Sequence, residues 1–384
     1  MKKDNKIIFW GTYDIGKPRV RLLVEAAQSL GYQTEQIHYH VWKGVDDKSQ
    51  IDSWRRRINI MFRLFLAYPI LIIEYCRTPK HKSIIVPYLG PLDVIVLWPF
   101  AKLRRAEIHW DVFLSLYDTV VNDRKMFSNR HPIAKCIYWI EYLASRLSTS
   151  CFLDTLAHAN YFKEIYRLTN KKINWVPVGV EKNNFHRSKA LPIVNLSRIK
   201  VLFYGQFIPL HGLDTIIDAA KIDLNRDKRI DWLIVGKGQL SSHIDERIAK
   251  ENIISIKRLE WINYGGLNDL ILNSDICLGI FGTSNKAKCV VPNKIYQIMA
   301  TGKPFVTAKT VALEPLNLEN NIAVRLVKVG SPEDLLQGIY TLAEELSEHP
   351  DALFQAAQTM PIIDVTVVAT HLDRILTLHN ADYS

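Results

Sequence analysis

Cysteine and long apolar runs are both scarce in this chain of 384 residues. Its five cysteines are odd in number and widely spaced, and no Cys-x-x-Cys pair occurs. This pattern argues against a disulfide framework and a metal site, and it suits a reducing compartment. No apolar run approaches the ~20 residues of a membrane span, and the short run at residues 7–10 predicts a core strand rather than a signal peptide. We therefore expect a cytoplasmic protein.

The chain also lacks a nucleic-acid-binding signature and a dense basic tail, although it is basic. Its 49 Lys and Arg residues against 39 Asp and Glu residues give a net charge of +10. Such a charge favours an anionic partner, either a phosphorylated substrate or an anionic membrane surface. With 48% hydrophobic residues the chain can bury proper cores, and its length predicts two or three domains.

Strand and helix patterns alternate through the chain twice. Strands are predicted in the first half at residues 6–10, 34–41, 93–97, 107–116, 149–153 and 173–176. In the second half they are predicted at residues 200–204, 231–235, 253–256, 276–280, 304–307 and 323–327. Alternation of this kind is typical of parallel sheets covered by helices. We expect an α/β protein with two doubly wound, Rossmann-like domains that face a cleft, where ligands usually bind.

A polar, irregular segment near residue 190 separates the two halves. The predicted limits are an N-terminal domain at 1–185, a linker at 186–198 and a C-terminal domain at 199–366. A helical tail at 367–384 could pack back on the N-terminal domain. Gly11, Thr12 and Tyr13 follow the first strand, where loops of parallel sheets bind ligands, but the G-x-G-x-x-G spacing is missing.

Residues 53–73 read SWRRRINIMFRLFLAYPILII and leave two interpretations open. From Arg55 to Ile73, a basic edge followed by aromatic and aliphatic residues is typical of an amphipathic helix on an anionic membrane. The alternative is a core helix with a basic end. The charge-free part, residues 64–73, is too short to span a bilayer.

The stretch at residues 281–304, FGTSNKAKCVVPNKIYQIMATGKP, predicts an anion site. It follows an apolar strand, carries three lysines and enters a helix at Pro292 that ends near Gly302. The first N–H groups of a helix lack internal partners and attract negative charge, so a diphosphate is the expected ligand.

Three stretches in the second half resemble a known family. VLFYGQFIPLHGLDTIIDAAK (201–221), WLIVGKGQ (232–239) and DICLGIFGTSNKAKCVVPNKIYQIMATGKPFVT (275–307) resemble the donor-binding half of a GT-B glycosyltransferase, closest to the retaining group 1, family 4 type. Residues 116–124, 153–162 and 176–185 are similar to the corresponding N-terminal stretches more loosely. The chain is therefore expected to be a glycosyltransferase.

This resemblance implies a nucleotide-sugar donor, a UDP- or GDP-sugar, bound by the C-terminal domain. The acceptor, a glycan or a lipid-linked glycan of cell-surface polysaccharide or glycolipid synthesis, would bind the N-terminal domain. No essential metal or other cofactor is expected. The alternatives are a non-catalytic homologue in a glycan-assembly complex and a nucleotide-sugar epimerase of the same fold.

The sequence departs from the family pattern at four positions. Gln206 and His211 stand where an Arg and a Lys are usual, and Cys289 and Gln297 stand where two glutamates are usual. We expect other cations near the same site to replace the lost ones. The predicted donor-binding residues are Gly205, Gln206, His211, Gly212, Gly236, Arg258, Leu259, Lys286, Lys288, Asn293, Lys294 and Gln297.

Acid–base candidates lie in the N-terminal half. Asp118, Asp111 and His109 all fall near the end of one predicted strand, and Tyr-Asp-Thr at 117–119 follows an apolar run. We favour Asp118 as the catalytic residue and keep Asp111 as the second candidate. In a retaining transfer the donor phosphate can itself accept the proton, so a side-chain base would be a helper.

Overall fold

A computed structural model describes residues 5–41, 54–191, 193–226, 229–260 and 262–378. The chain divides into two compact units. Unit 1 comprises Met1–Gly179 and Ile363–Ser384, and unit 2 comprises Val180–Ile362. Each is described by itself below.

Each unit is built on a six-stranded parallel sheet, which confirms the predicted α/β class. In unit 1 the strands lie in the order β2-β1-β3-β4-β5-β6, and in unit 2 in the order β12-β11-β10-β7-β8-β9. The strands are β1 Lys6–Gly11, β2 Gln33–His38, β3 Ser83–Val86, β4 Glu107–Phe113, β5 Ser150–Leu153, β6 Ile173–Trp175, β7 Ile199–Tyr204, β8 Ile230–Val235, β9 Ile256–Leu259, β10 Ile276–Leu278, β11 Phe305–Ala308 and β12 Val324–Val327.

Helices connect the strands of both sheets. They are α1 Pro18–Ser29, α2 Trp54–Arg77, α3 Pro91–Leu103, α4 Pro132–Leu147, α5 Leu156–Tyr166, α6 Leu213–Asn225, α7 Ser241–Lys250, α8 Leu267–Leu272, α9 Asn285–Cys289, α10 Asn293–Thr301, α11 Pro332–Glu348, α12 Pro350–Gln358 and α13 Val365–Leu378. Strand-to-strand connections through helices are what a parallel sheet requires.

The sheet of unit 1 has a hydrophobic core on each face because side chains alternate along its strands. Ile7 and Phe9 of β1 pack with α1 and with Leu372 of α13 on one face. Ile8 and Trp10 pack on the other face with residues of α2, α3, α4 and α5. In unit 2 the main core gathers β7, β8, α6 and α11 around fully buried side chains such as Trp232 and Phe203.

The strand predicted at residues 93–97 is wrong, because this segment lies in helix α3. Gly90 caps the helix in a left-handed conformation, Pro91 follows, and Asp93 lies in the first turn. These residues are a helix start signal. A short apolar run in a sequence can form either a buried strand or a buried helix. The strand at this position of the sheet is β3, which the sequence interpretation missed.

The segment predicted as a linker, residues 186–198, lies within unit 2. Arg187 donates from its two terminal nitrogens to the carbonyls of Ala357 and Met360, at 3.0 and 2.7 Å. The Ser188 N–H donates to Thr301 at 2.9 Å. At the other end, helix α13 lies against α1 in unit 1, and residues 379–384 of the predicted tail lie outside the described residues.

Helix α2 is longer than its charge-free part, and Pro69 lies inside it. Over Ile58–Arg77 it is long and apolar enough to cross a membrane by length and composition, which corrects the expectation that no segment reaches that length. This criterion is weak, since core helices of soluble proteins also meet it. Residues 51–53 and the side chains of residues 54–57 lie outside what the structure describes.

Candidate functional site

Three glycine-containing loops meet at the carboxyl edge of the unit 2 sheet. They follow β7, β8 and β10, which are neighbours in the sheet. From β7 the chain builds outward to β8 and β9, and then crosses to the opposite side with β10. The crevice where strand order reverses is the usual ligand site of doubly wound sheets. The predicted donor-binding glycines therefore lie at the topological switch point of unit 2.

The glycines allow the loops to approach closely. Gly205 has a φ of +144° and Gly236 a φ of +140°, both outside the range of most side-chain-bearing residues. A Cβ atom on Gly236 would lie 1.8 Å from the carbonyl oxygen of Gly205, and one on Gly212 would lie 2.4 Å from the backbone nitrogen of Gly282. Only glycine fits at these positions.

Lys294 places a buried cation at this edge. It lies in the first turn of α10 and is only 4% exposed. Its Nζ is 3.4 Å from the carbonyl oxygen of Gly279 and 3.6 Å from the ring centre of Phe203. Burial lowers the pKa of Lys294 well below its usual value, and none of the described carboxylates offsets this effect. Such a group is poised to gain an anionic partner.

His211 also lies close to Gly205. A Cβ atom on Gly205 would be 3.1 Å from His211 Cε1 and 3.1 Å from Lys294 Nζ. His211 ends a single helical turn, Pro209–His211, and its Nδ1 makes a short contact with the carbonyl oxygen of Gln206. Two nitrogen-bearing side chains thus lie close to the position that a side chain on Gly205 would occupy.

Gln297 is buried beside the same lysine. Its Oε1 accepts a hydrogen bond of 3.0 Å from the Tyr204 hydroxyl, which also lies 3.3 Å from the carbonyl oxygen of Lys294. Tyr204 is fully enclosed, and burial raises the pKa of its hydroxyl well above the usual value, so it acts as a neutral donor. The neutral amide of Gln297 accepts this bond where a glutamate would bring a charge into the core.

The remaining predicted donor-binding residues have different environments. Lys286 is buried in α9 while Lys288 is exposed, and the predicted lysine loop therefore contains a short helix. Asn293 is exposed at the start of α10. Arg258 donates to the carbonyls of Gly236 and Leu259, at 2.8 and 2.7 Å. Its position indicates that it braces the loop after β8.

In unit 1, the loop after β1 is held by a carboxylate that the sequence interpretation missed. The Thr12 N–H donates to Asp93 Oδ2 at 2.8 Å, and the Tyr68 hydroxyl donates to Asp93 Oδ1 at 2.9 Å. A Cβ atom on Gly11 would lie 2.3 Å from Asp93 Oδ2. Tyr13 is buried, and burial together with the charge of Asp93 raises its pKa. The Gly-Pro-x-Asp helix start was the signal for Asp93.

Asp118 is buried in a single wide helical turn, Asp118–Asp123. Its Oδ1 accepts from Asn122 Nδ2 at 2.9 Å and from the Tyr161 hydroxyl at 3.3 Å. Its Oδ2 is buried and has no hydrogen-bond partner among the described residues. A buried carboxylate oxygen without a partner is rare in folded proteins, and a functional role is one explanation for it.

Glu141 of α4, also missed from the sequence, holds the loop before Asp118. Its carboxylate accepts from the backbone N–H groups of Leu116 and Tyr117, at 2.7 and 3.1 Å, and from the Tyr166 hydroxyl at 2.7 Å. Burial raises its pKa while these hydrogen bonds oppose the rise. No local sequence signal marks Glu141, because its partners lie about 25 residues away in the chain.

Asp111 is fully buried and bonded to Arg19. Arg19 Nε lies 2.9 Å from Asp111 Oδ2, and Arg19 NH2 lies 2.7 Å from Asp111 Oδ1. Burial raises the pKa of Asp111, and the guanidinium of Arg19 opposes that rise. Since both carboxylate oxygens are engaged, this geometry favours a structural ion pair over an acid–base role.

His109 and His158 of unit 1 are buried as well. His109 Nδ1 lies 2.8 Å from the Ser150 hydroxyl, which joins β4 to β5. His158 Nδ1 lies 2.7 Å from Asp154 Oδ1, and its Nε2 is buried without a hydrogen-bond partner among the described residues. The sequence interpretation did not single out this pair, although Asp-Thr-x-x-His at a helix start is a readable pattern. In the described part of the chain, no three His, Cys, Asp or Glu side chains form a group that could hold a metal ion.

Comparison with known proteins gives the class of unit 2. Residues 198–345 match the family described as glycosyl transferases group 1. This match confirms the resemblance predicted from the sequence for the second half of the chain. A search of curated protein sequences finds no match.

Solved structures extend the likeness to the whole chain. A sucrose-phosphate synthase from Thermosynechococcus elongatus is 13% identical, with a TM-score of 0.70 over 98% of this chain and 100% of its own. HepE from Anabaena, solved in complex with UDP-glucose, is 15% identical, with a TM-score of 0.66 over 97% of this chain and 99% of its own. A glycosyltransferase from Rickettsia africae is 14% identical, with a TM-score of 0.62 over 98% and 99%. The fold is that of the GT-B glycosyltransferases, and with the family match it supports the glycosyltransferase class.

Proposed function

We propose that this glycosyltransferase moves a sugar from a nucleotide-sugar donor, most simply a UDP-sugar, with retention of configuration. The observation that carries the proposal is the buried cation Lys294 beside Gly205, at the switch point of unit 2, where the family match lies. A leaving nucleoside diphosphate develops negative charge, and a preorganised cation in a dry site stabilises that charge strongly.

The donor-site residues supply three favourable elements for a diphosphate. Lys294 would provide a cation, the imidazole of His211 lies close to the same glycine, Gly205, and α10 presents its N-terminal N–H groups. Lys294 and His211 would take the place of the usual Arg and Lys, so that no metal ion is required. A GDP-sugar is the alternative donor, and UDP is favoured because HepE was solved with UDP and with UDP-glucose.

Asp118 is the proposed helper base for the acceptor hydroxyl. Its Oδ1 is held by Asn122, and its buried, unpartnered Oδ2 would accept the proton once an acceptor hydroxyl reaches it. Glu141 holds the preceding loop. Gly11, Thr12 and Tyr13 are proposed to line the acceptor region, held by Asp93. Asp111 is assigned to the structural pair with Arg19 instead.

The proposed acceptor is a glycan or lipid-linked glycan in polysaccharide or glycolipid synthesis, reached on the cytoplasmic side of a membrane. Support comes from α2, whose described residues include an exposed apolar stripe, as a peripheral contact over residues 55–73 would need. The basic residues at its N-terminal end would favour an anionic lipid surface.

The test is sugar transfer by the purified protein from a panel of UDP- and GDP-sugars, with nucleotide binding measured by calorimetry. We expect UDP to bind and one UDP-sugar to support transfer that Asp118→Asn slows without weakening UDP binding. If Asp118→Asn binds UDP as the wild-type protein does and transfers sugar at the same rate, Asp118 has no role in the mechanism.

A second candidate is a non-catalytic GT-B homologue within a glycan-assembly complex, or an epimerase of the same fold. Cys289 and Gln297 favour it, because they stand where two glutamates are usual in the resembling family. The absence of any nucleoside diphosphate affinity would select the non-catalytic partner. Interconversion of nucleotide-sugars without an acceptor would select the epimerase.

A further inference from the structure

Three helices of unit 1 lie side by side on one face of its sheet. α3 packs against both α2 and α4, and the inner sides of all three helices join one hydrophobic core. Leu71 of α2, Leu97 of α3 and Ala144 of α4 are fully buried in that core. The outer sides of the three helices therefore form one continuous layer at the surface of unit 1.

The outer sides carry large apolar residues at helical spacing. Phe65 of α2 is 74% exposed, Leu103 of α3 is 83% exposed and Trp139 of α4 is 62% exposed. A soluble monomer rarely exposes apolar side chains in so contiguous an arrangement, and such patches mark interaction sites. The exposed large apolar residues on the three helices are Ile58, Met61, Phe62, Phe65, Leu66, Ile70, Ile73, Leu92, Leu103, Ile133, Trp139 and Leu143.

The charges around this layer are predominantly positive. The described basic side chains of these helices are Arg63 and Arg77 in α2, Lys102 in α3, and Lys135 and Arg146 in α4. The same helices contain three acidic residues, and two of these, Asp93 and Glu141, are buried and hydrogen-bonded inside the unit. Glu74 is the acidic residue that remains at the surface. An apolar surface with a basic border complements an anionic lipid bilayer.

Helix α2 is fixed to unit 1 along its length. Trp10 Nε1 donates to the carbonyl of Leu71 at 3.2 Å, and Arg63 NH1 donates to the carbonyl of Val41 at 3.3 Å. Tyr68 reaches Asp93 at the start of α3. Crossing a membrane would require these contacts and the core packing of α2 to break. A helix held in this way can lie on a bilayer while it stays part of the folded unit.

We propose that the outer sides of α2, α3 and α4 together form one docking surface, the three-helix surface, for an anionic lipid bilayer. This inference rests on the proposed function, in which the acceptor is reached at a membrane. It extends the contact from residues 55–73 to two further helices and makes the contact peripheral, with shallow insertion of apolar side chains. The Trp98 and Lys102 pair of α3, 4.8 Å from ammonium to ring centre, suits the headgroup level, where amphipathic side chains settle.

The test is co-sedimentation of the full-length protein with vesicles of phosphatidylcholine alone and of phosphatidylcholine mixed with phosphatidylglycerol. We expect binding to the mixed vesicles that weakens as salt is raised. Trp139→Glu and Leu103→Glu change helices outside residues 55–73, and each should lower vesicle affinity about tenfold or more. Lys135→Ala should lower it about fivefold. Ile254→Glu, at a position 74% exposed in unit 2, is the matched control and should leave binding unchanged.

The outcomes separate this inference from the proposed function. UDP binding is measured on every variant, both to show that it is folded and to read the donor site independently. Wild-type vesicle affinity in Trp139→Glu and Leu103→Glu would overturn the three-helix surface, as would equal binding to both kinds of vesicle. If the wild-type protein binds vesicles but does not bind UDP, that result would count against the proposed donor site alone.

Discussion

Replacement of Lys294 by Met should separate stability from donor affinity. Lys294 is 4% exposed, and the described contacts of its Nζ are one carbonyl oxygen and aromatic faces. Met has a similar length and fills the space without a charge. Relief of a poorly compensated buried charge should stabilise the ligand-free protein by about 1–3 kcal/mol. For a unit of this size the apparent melting temperature rises by about 2–4 °C per kcal/mol.

The same substitution should weaken UDP binding. A charge-assisted hydrogen bond contributes about 1.5–3 kcal/mol, so the loss corresponds to about 10- to 150-fold in affinity. Thermal unfolding with and without UDP measures both effects, because a ligand of the native state raises its stability by mass action. The variant should melt higher than wild type without UDP and gain less from UDP.

Lys303→Met is the matched control for this experiment. Lys303 is also buried in unit 2, its Nζ lies 3.2 Å from the carbonyl of Leu272, and burial lowers its pKa. It precedes β11 and therefore lies at the amino edge of the sheet, opposite the glycine loops. Lys303→Met should leave UDP affinity unchanged. Wild-type UDP affinity in Lys294→Met, or an equal loss in both variants, would refute the role of Lys294.

Four further predictions follow from the same geometry. Lys294 binds its proton more tightly in the unfolded chain than in the ligand-free fold, so its contribution to the free energy of unfolding should increase as pH rises towards the usual lysine pKa. UDP affinity should fall over the same pH range, because Lys294 loses its proton. Calorimetry across pH should show that UDP affinity depends less on pH in Lys294→Met than in the wild-type protein. Asp118→Asn should lower turnover about 100-fold with little change in melting temperature. Asp111→Asn should instead lower the free energy of unfolding, measured with a chemical denaturant, by about 3–5 kcal/mol, because it leaves the buried charge of Arg19 without a partner. Gly236→Ala should add about 1–3 kcal/mol of backbone strain, with a clash against Gly205, and abolish UDP binding in the same assay. A chelator should leave sugar transfer unchanged, because Lys294 and the N-terminal N–H groups of α10 are proposed to stabilise the diphosphate. Loss of activity that Mg²⁺ restores would contradict this.

The sequence predicted much of the fold because its periodic patterns are local. Parallel strands buried on both faces read as short apolar runs, and the helices between them carry their own start signals, as at Pro132 and Pro332. The same locality explains the error at residues 93–97, where a buried helix and a buried strand have equally apolar sequences. The glycine loops of unit 2 were predicted through the family resemblance, and the structure gives the physical reason, which is the close approach of their backbones.

The sequence by itself determined the class of the chain and the chemical types at its donor site, including the departures at Gln206, His211 and Gln297. Only the tertiary structure decided what those side chains contact, because their partners are far apart in the chain. Lys294 is buried against the ring of Phe203, Gln297 accepts a hydrogen bond from the Tyr204 hydroxyl, and Asp111 forms an ion pair with Arg19. Burial and long-range hydrogen bonds set the charge state and the freedom of a side chain, and neither is encoded in local spacing.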